Sequence, residues 1–323
     1  MTAQLRVGEL FVQLRELLEL ELVPGPDGLG RIVSSAEVSS PGLALAGFVA
    51  RFPPERMQVF GETEVTYLRS LDAETRRENL RKFFTFSFPC LFVTKGLELP
   101  TEVIEEATSA GVTILRSALK TNEFYVRAKP WLEDAFAPQT TMHGSLADIY
   151  GVGVLFMGQS GIGKSECVLD LVERGHRLVA DDMVIIKRRA GDILIGRGNE
   201  LQKHYMEIRG IGLVDIPAIF GIRAVRQQKR IEVVVQLQEW QHGVEVERTG
   251  LDGETMDILG VQVPRITILL NPGKNITVVA EVIAMHHLLK WSGIDPAERF
   301  NEALIKQMRD KAEINRYLRE DHE

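Results

Sequence analysis

Val154-Leu155-Phe156-Met157-Gly158-Gln159-Ser160-Gly161-Ile162-Gly163-Lys164-Ser165 is the stretch from which the fold of this chain can be read. Its first four residues are an uninterrupted apolar run, the mark of a strand buried on both faces. A helical pattern follows from Glu166 to Glu173, with Gly175 as its stop. Between them lies GxxxxGKS, and strand, glycine loop, helix is the context that motif requires. Glycines let backbone N–H groups approach phosphate oxygens, and the helix N-terminus adds partial positive charge. Gly158, Gln159, Ser160, Gly161, Ile162, Gly163, Lys164 and Ser165 are therefore candidates for binding a nucleotide phosphate chain. Lys164 would place a cation on the β- and γ-phosphates, and the Ser165 hydroxyl would ligate Mg²⁺.

Working outward, Gly175-His176-Arg177-Leu178-Val179-Ala180-Asp181-Asp182 reads as a short strand running into two carboxylates. One of them could help hold a metal while the other serves as general base; a solvated turn is the alternative. Upstream, Thr141-Met142-His143-Gly144 precedes the strand that feeds the loop. Downstream, Glu207-Ile208-Arg209-Gly210-Ile211-Gly212-Leu213-Val214-Asp215 reads as the wall of a site or as a tight hairpin with solvated ends. Arg248 follows a strand-like Val244–Val246.

The rest of the chain supplies the frame. Apolar spacing predicts an amphipathic helix from Val7 to Leu20, and Cys90–Thr94 and Val112–Leu115 read as short strands. Between them Thr101 caps a helix through Ala110, with Gly111 just past its end. Strand, helix, strand at this spacing predicts a parallel α/β unit. Ala128–Gln139, with two prolines, reads as a linker. The boundary is set near 133, giving domains 1–133 and 134–323. Ile231–Gln238, Ile266–Leu270 and Ile276–Ala280 read as strands, the last two flanking the turn Asn271–Asn275. Glu281–Lys290 and Pro296–Leu318 read as helices.

Composition narrows the function. The 323 residues are 45% hydrophobic and 26% charged, an ordinary globular mix. The net charge of −7 argues against bulk nucleic-acid or anionic-membrane binding. Two cysteines in unlike contexts exclude a disulfide framework or zinc site. No apolar run reaches a membrane span, and the charged N-terminus is no secretory signal, which predicts a cytoplasmic protein. The basic residues Arg223, Arg226, Lys229 and Arg230 read as a solvated face.

The ordered set His-Gly, GxSGxGKSE, RGHRLVADD, EIRGxG, ERxGL and PGxN resembles the HPr kinase/phosphorylase family, along nearly the whole chain. Pro41–Gly47 and Gly61–Glu64 extend the likeness into the N-terminal third. The resemblance implies an α/β fold: a small N-terminal α/β domain plus a C-terminal P-loop kinase domain with a helical C-terminus. It implies an ATP-dependent serine kinase acting on the phosphocarrier protein HPr, tied to the sugar phosphotransferase system and carbon metabolism. The reverse activity would use inorganic phosphate and release pyrophosphate. Mg²⁺, a homohexamer, and neither nucleic-acid nor membrane partners are implied as well. Residue by residue, His143, Lys164, Asp182 and Arg248 match the family's catalytic positions, with Asp182 as general base and, in reverse, general acid. Ser165 and Glu207 match its Mg²⁺ ligands. Met206–Asp215 matches a stretch needed for both activities, and Leu269–Lys274 one tied chiefly to dephosphorylation. There the family commonly carries Pro-Gly-Arg-Asn where this chain has Pro272-Gly273-Lys274-Asn275. Lysine keeps the charge but loses the bidentate fork. Two other classes fit a bare phosphate loop. One is a small-molecule phosphotransferase related to phosphoenolpyruvate carboxykinase, the other a nucleotide-sensing regulator without transfer. Neither accounts for RGHRLVADD and EIRGxG together.

Overall fold

Alternation along short strands builds the N-terminal sheet. Val59, Phe92 and Leu115 pack into one apolar cluster, while Phe60, Leu91, Val93 and Ile114 pack into another. Successive side chains leave a strand on opposite faces, so a sheet covered on both sides needs unbroken apolar runs. The computed structural model describes residues 4–200, 203–240, 253–270 and 275–320. They fall into two compact units, Met1–Pro138 and Gln139–Glu323. In the first, the strands Leu20–Leu22, Ile114–Ser117, Leu91–Val93, Met57–Phe60 and Val38–Ser39 lie side by side in that order. The last four are mutually parallel, and Leu20–Leu22 is antiparallel at the edge.

The expected strand–helix–strand is present as Leu91–Val93, Thr101–Ala110 and Ile114–Ser117. Gly111 closes the helix in the left-handed conformation at φ 61°, but Pro100 holds the N-cap position assigned to Thr101. The first helix stops at Leu14 rather than Leu20, and Leu20–Leu22 pairs with Ile114–Ser117 instead. The stretch expected as a linker is largely helical. Thr121–Ala135 is one helix with Pro130 inside it, and its buried Phe124, Ala128 and Leu132 override the proline signal.

The second unit has three layers. A six-stranded sheet runs Arg177–Ala180, Ser145–Ile149, Val152–Met157, Val233–Glu239, Val261–Leu270, Thr255–Ile258. Its three central members are parallel, from Val152–Met157 through Val233–Glu239 to Val261–Leu270. One face buries Val154, Phe156, Val233 and Val235 against Cys167, Val168 and Leu171 of helix Lys164–Glu173 and Ala280 and Ile283 of helix Ile276–Trp291. The other face sets Leu155 and Val234 against Val184, Ile186 and Leu194. Those three belong to a four-stranded antiparallel sheet ordered Gln228–Arg230, Ile193–Arg197, Met183–Arg189, Gln139–His143.

One element changes type. Ile276–Ala280 opens the helix Ile276–Trp291 and is not a strand. Its β-branched residues favour a strand locally, but Asn275 caps the helix by accepting from the Val278 N–H at 3.1 Å, and tertiary packing overrides propensity. Helix Pro296–Glu320 ends the described chain. Each unit carries one free cysteine, Cys90 and Cys167, both buried. Burial raises both thiols, Cys167 to about 12.

Candidate functional site

The phosphate loop leaves the sheet at Met157 and enters helix Lys164–Glu173. Gly158, with φ at 149°, passes so close to the neighbouring strand that a Cβ would lie 2.7 Å from the Leu237 carbonyl oxygen. Lys164 is 6% exposed, and its ammonium donates to the carbonyls of Gly158 and Gln159 at 3.0 and 2.9 Å. Burial lowers its pKa, while Asp181, Asp182 and Glu166 oppose that shift.

The two carboxylates after Arg177–Ala180 separate. Met183 N–H bonds back to the Asp181 carbonyl at 2.7 Å, and the residue between, Asp182, sits at φ 65°. Such a turn costs on the order of 1–3 kcal/mol and sends neighbouring side chains apart. Asp181 turns toward the loop, where its Oδ1 accepts from Ser165 Oγ at 3.1 Å and Ser145 Oγ at 2.5 Å. Burial raises its pKa, with both hydroxyls pulling the other way. Asp182 is exposed, and its Oδ1 lies 3.1 Å from His143 Nδ1. The pairing follows from the sheet: His143 stands opposite Met183, and the Gly144 N–H donates to the Asp182 carbonyl at 3.0 Å. Thr141, Met142, His143, Met157, Gly158, Gln159 and Gln236 line a pocket of about 540 Å³ here.

The segment 207–215 is a hairpin and also a wall. Tyr205–Ile208 pairs with Gly212–Asp215, placing Glu207 opposite Leu213. Met206 and Ile208 sink into the core beside helix Lys164–Glu173, so Glu207 faces outward. At the tip, the Arg209 guanidinium covers the loop backbone: a Cβ on Gly161, at φ 80°, would meet Nη2 at 2.3 Å.

Of the residues singled out from sequence, His143, Lys164, Ser165 and Asp182 gather at the loop, with the Glu207 hairpin against the helix that follows it. Arg248 and Lys274 lie outside the described residues. Ser145 was not among the candidates, Arg209 stood there only as part of the segment 207–215, and Asp181 only as one of two carboxylates whose roles were left open. Adjacency in RGHRLVADD hinted at Asp181, but only the turn at Asp182 shows which carboxylate meets Ser165. Of the basic cluster, Arg226 pairs with buried Asp148 at 2.7 Å and Lys229 with Glu232 at 3.0 Å. Among the described residues no helix is long and apolar enough to cross a membrane. No group of three His, Cys, Asp or Glu side chains forms a metal cluster there.

The models of two protein domains match: HPr Serine kinase N terminus over residues 5–132, and HPr Serine kinase C-terminal domain over residues 134–304. This chain belongs to the HPr serine kinase family. It is 46% identical over 285 residues to the HPr kinase/phosphorylase of Chloroherpeton thalassium, covering 88% of this chain and 84% of that one. The HPr kinase/phosphorylase of an Exiguobacterium species is 44% identical, covering 92% and 96%. The solved structure of the Hpr(Ser) kinase/phosphatase from Coxiella burnetii is 34% identical, with a TM-score of 0.45, over 50% of this chain and 99% of that one. The family is an enzyme family, and its kinase activity implies a nucleotide phosphoryl donor. Neither rival class from the sequence survives the match across both units.

Proposed function

We propose that this protein transfers the γ-phosphoryl group of ATP to a seryl hydroxyl of HPr, and reverses the transfer with inorganic phosphate as acceptor, releasing pyrophosphate. The observation that carries the reading is the meeting of Lys164, Ser165 and the Asp pair around one loop, with His143 holding Asp182 at the pocket. Mg²⁺ fits this donor set. The Ser165 hydroxyl and Asp181 carboxylate already meet at the helix start, and this ion uses one or two carboxylates with substrate phosphates. Ser165 and Glu207 are its proposed ligands, with Asp181 beside them. When bound, the ion supplies charge neutralisation on the phosphoryl oxygens.

The chain's own groups do the rest. Lys164 exchanges its loop carbonyls for phosphate oxygens as the nucleotide enters. Gly158–Lys164 offers backbone N–H groups along the chain of phosphates. Asp182 takes the proton from the attacking seryl oxygen, and in phosphorolysis the protonated carboxyl gives one to the seryl oxygen as phosphate displaces it. His143, at 3.1 Å, orients that carboxylate. Arg248 is assigned to stabilising transferring charge. A homohexamer in the cytoplasm is the assembly and location we assign.

Incubation with HPr, ATP and Mg²⁺, followed by mass measurement of HPr, tests the reading. One added phosphoryl group on a single serine, removed again by excess phosphate, is expected. An unmodified HPr alongside ATP turnover on a small acceptor would return the protein to the small-molecule phosphotransferases.

A further inference from the structure

We propose that Ser145 is a positioning residue for the metal–nucleotide site, acting through the hydrogen bond that fixes how the Asp181 carboxylate faces the loop. This deepens the kinase reading above and rests on it. Ser145 is wholly buried at the start of strand Ser145–Ile149, opposite Phe156 of the strand that feeds the loop. Its companions Leu146, Ala147 and Ile149 are apolar, so a hydroxyl here is a cost unless it is used. It is used once, on Asp181 Oδ1 at 2.5 Å. The same oxygen accepts from Ser165 Oγ at 3.1 Å, so hydroxyls from two separate elements converge on it.

The neighbouring residue completes the clamp. Gly144 donates its N–H to the Asp182 carbonyl, and a Cβ at 144 would lie 2.5 Å from the Phe156 carbonyl oxygen. Gly144 thus holds the main chain of one aspartate while Ser145 holds the side chain of the other. An aspartate carboxylate at a strand end has two free torsions. Without Ser145 the carboxylate keeps the Ser165 hydroxyl and the Asp182 backbone N–H, both at its loop side, and loses the donor that braces it from the sheet. Outer hydrogen bonds of this kind set metal affinity by about 10–100-fold.

The test measures binding of a non-hydrolysable ATP analogue by calorimetry, with Mg²⁺ and with EDTA, alongside Tm. In Ser145→Ala the Mg²⁺-dependent gain in affinity is expected to fall about 10–100-fold. Affinity in EDTA should stay within about twofold, since the phosphate loop and Lys164 are untouched. On an Asp181→Ala background the same change should cost nothing further, because the carboxylate that Ser145 orients is gone. A retained Mg²⁺ gain in Ser145→Ala, or full additivity with Asp181→Ala, overturns the assignment. So does a parallel fall of both affinities with Tm, which would make Ser145 a packing residue. A wild-type protein that binds no nucleotide under either condition removes the kinase reading itself, and the role of Ser145 with it.

Discussion

Both units build parallel strands whose carboxyl ends open onto loops, and they treat that edge in opposite ways. In the N-terminal unit the polar groups there satisfy one another. The Gly61 N–H takes the Glu64 carboxylate at 2.9 Å, the Thr94 and Thr121 hydroxyls meet at 2.7 Å, and Ser117 donates to the Leu18 carbonyl. In the C-terminal unit the same edge carries a cation folded onto its own loop, a carboxylate pair split by a left-handed residue, and a pocket. Carboxyl ends of parallel strands are where such folds bind ligands. Which groups are left facing outward decides whether chemistry follows.

The contrast is broken most directly at Asp182. Asp182→Asn keeps the shape but cannot accept the seryl proton, so single-turnover phosphorylation of HPr should fall by about 10²–10⁴. Affinity for ATP·Mg²⁺ should change far less. Loss of nucleotide binding with surviving bound-state turnover would instead make Asp182 a metal-site residue. The N-terminal counterpart is a stability effect. Phe83 packs against Phe52, Phe60, Phe84 and Phe88 at ring separations of 4.9–5.7 Å. Phe83→Ala should cost about 3–5 kcal/mol in denaturant unfolding of that unit, with phosphoryl transfer by the folded fraction unchanged. Equal loss of turnover per folded molecule would tie the two edges together functionally.

Asp181→Asn sharpens the comparison with the smallest shift. Burial raises the pKa of this carboxyl in the folded protein, so it favours folding at low pH and loses that contribution as pH rises through the raised value. At pH 7 the ionised group is a strain that asparagine relieves, and stability should rise by about 0.5–2 kcal/mol. The gain should vanish near pH 3, where the native carboxyl is protonated in both states. A Tm gain that is flat with pH would show that Asp181 is not held against its charge.

The sequence carried what is local. The phosphate loop, the Asp pair, His143 and the strand–helix–strand of the first unit are contiguous signals, and each stands where its residues imply. Three kinds of feature were not legible. Ile276–Ala280 looked like a strand because its β-branching is local whereas its docking is not. Ala128–Gln139 looked like a linker because its prolines are visible and the burial of Ala128 and Leu132, in the helix Thr121–Ala135, is not. Ser145 and Arg209 became visible only through contacts 36 and 48 positions away, at Asp181 and Gly161. Side-chain convergence from separate elements has no periodicity to read.

The two buried thiols turn the molecule into its own pair of clocks. A thiol held reluctant to ionise reacts with an alkylating reagent only when its surroundings open. Cys90 lies in the core just before strand Leu91–Val93 of one unit, and Cys167 in the helix that follows the phosphate loop of the other. Labelling rates at the two positions, separated by peptide mass, therefore report two opening equilibria from one sample. Nucleotide should slow the Cys167 clock and leave the Cys90 clock running, unless the two units open as one.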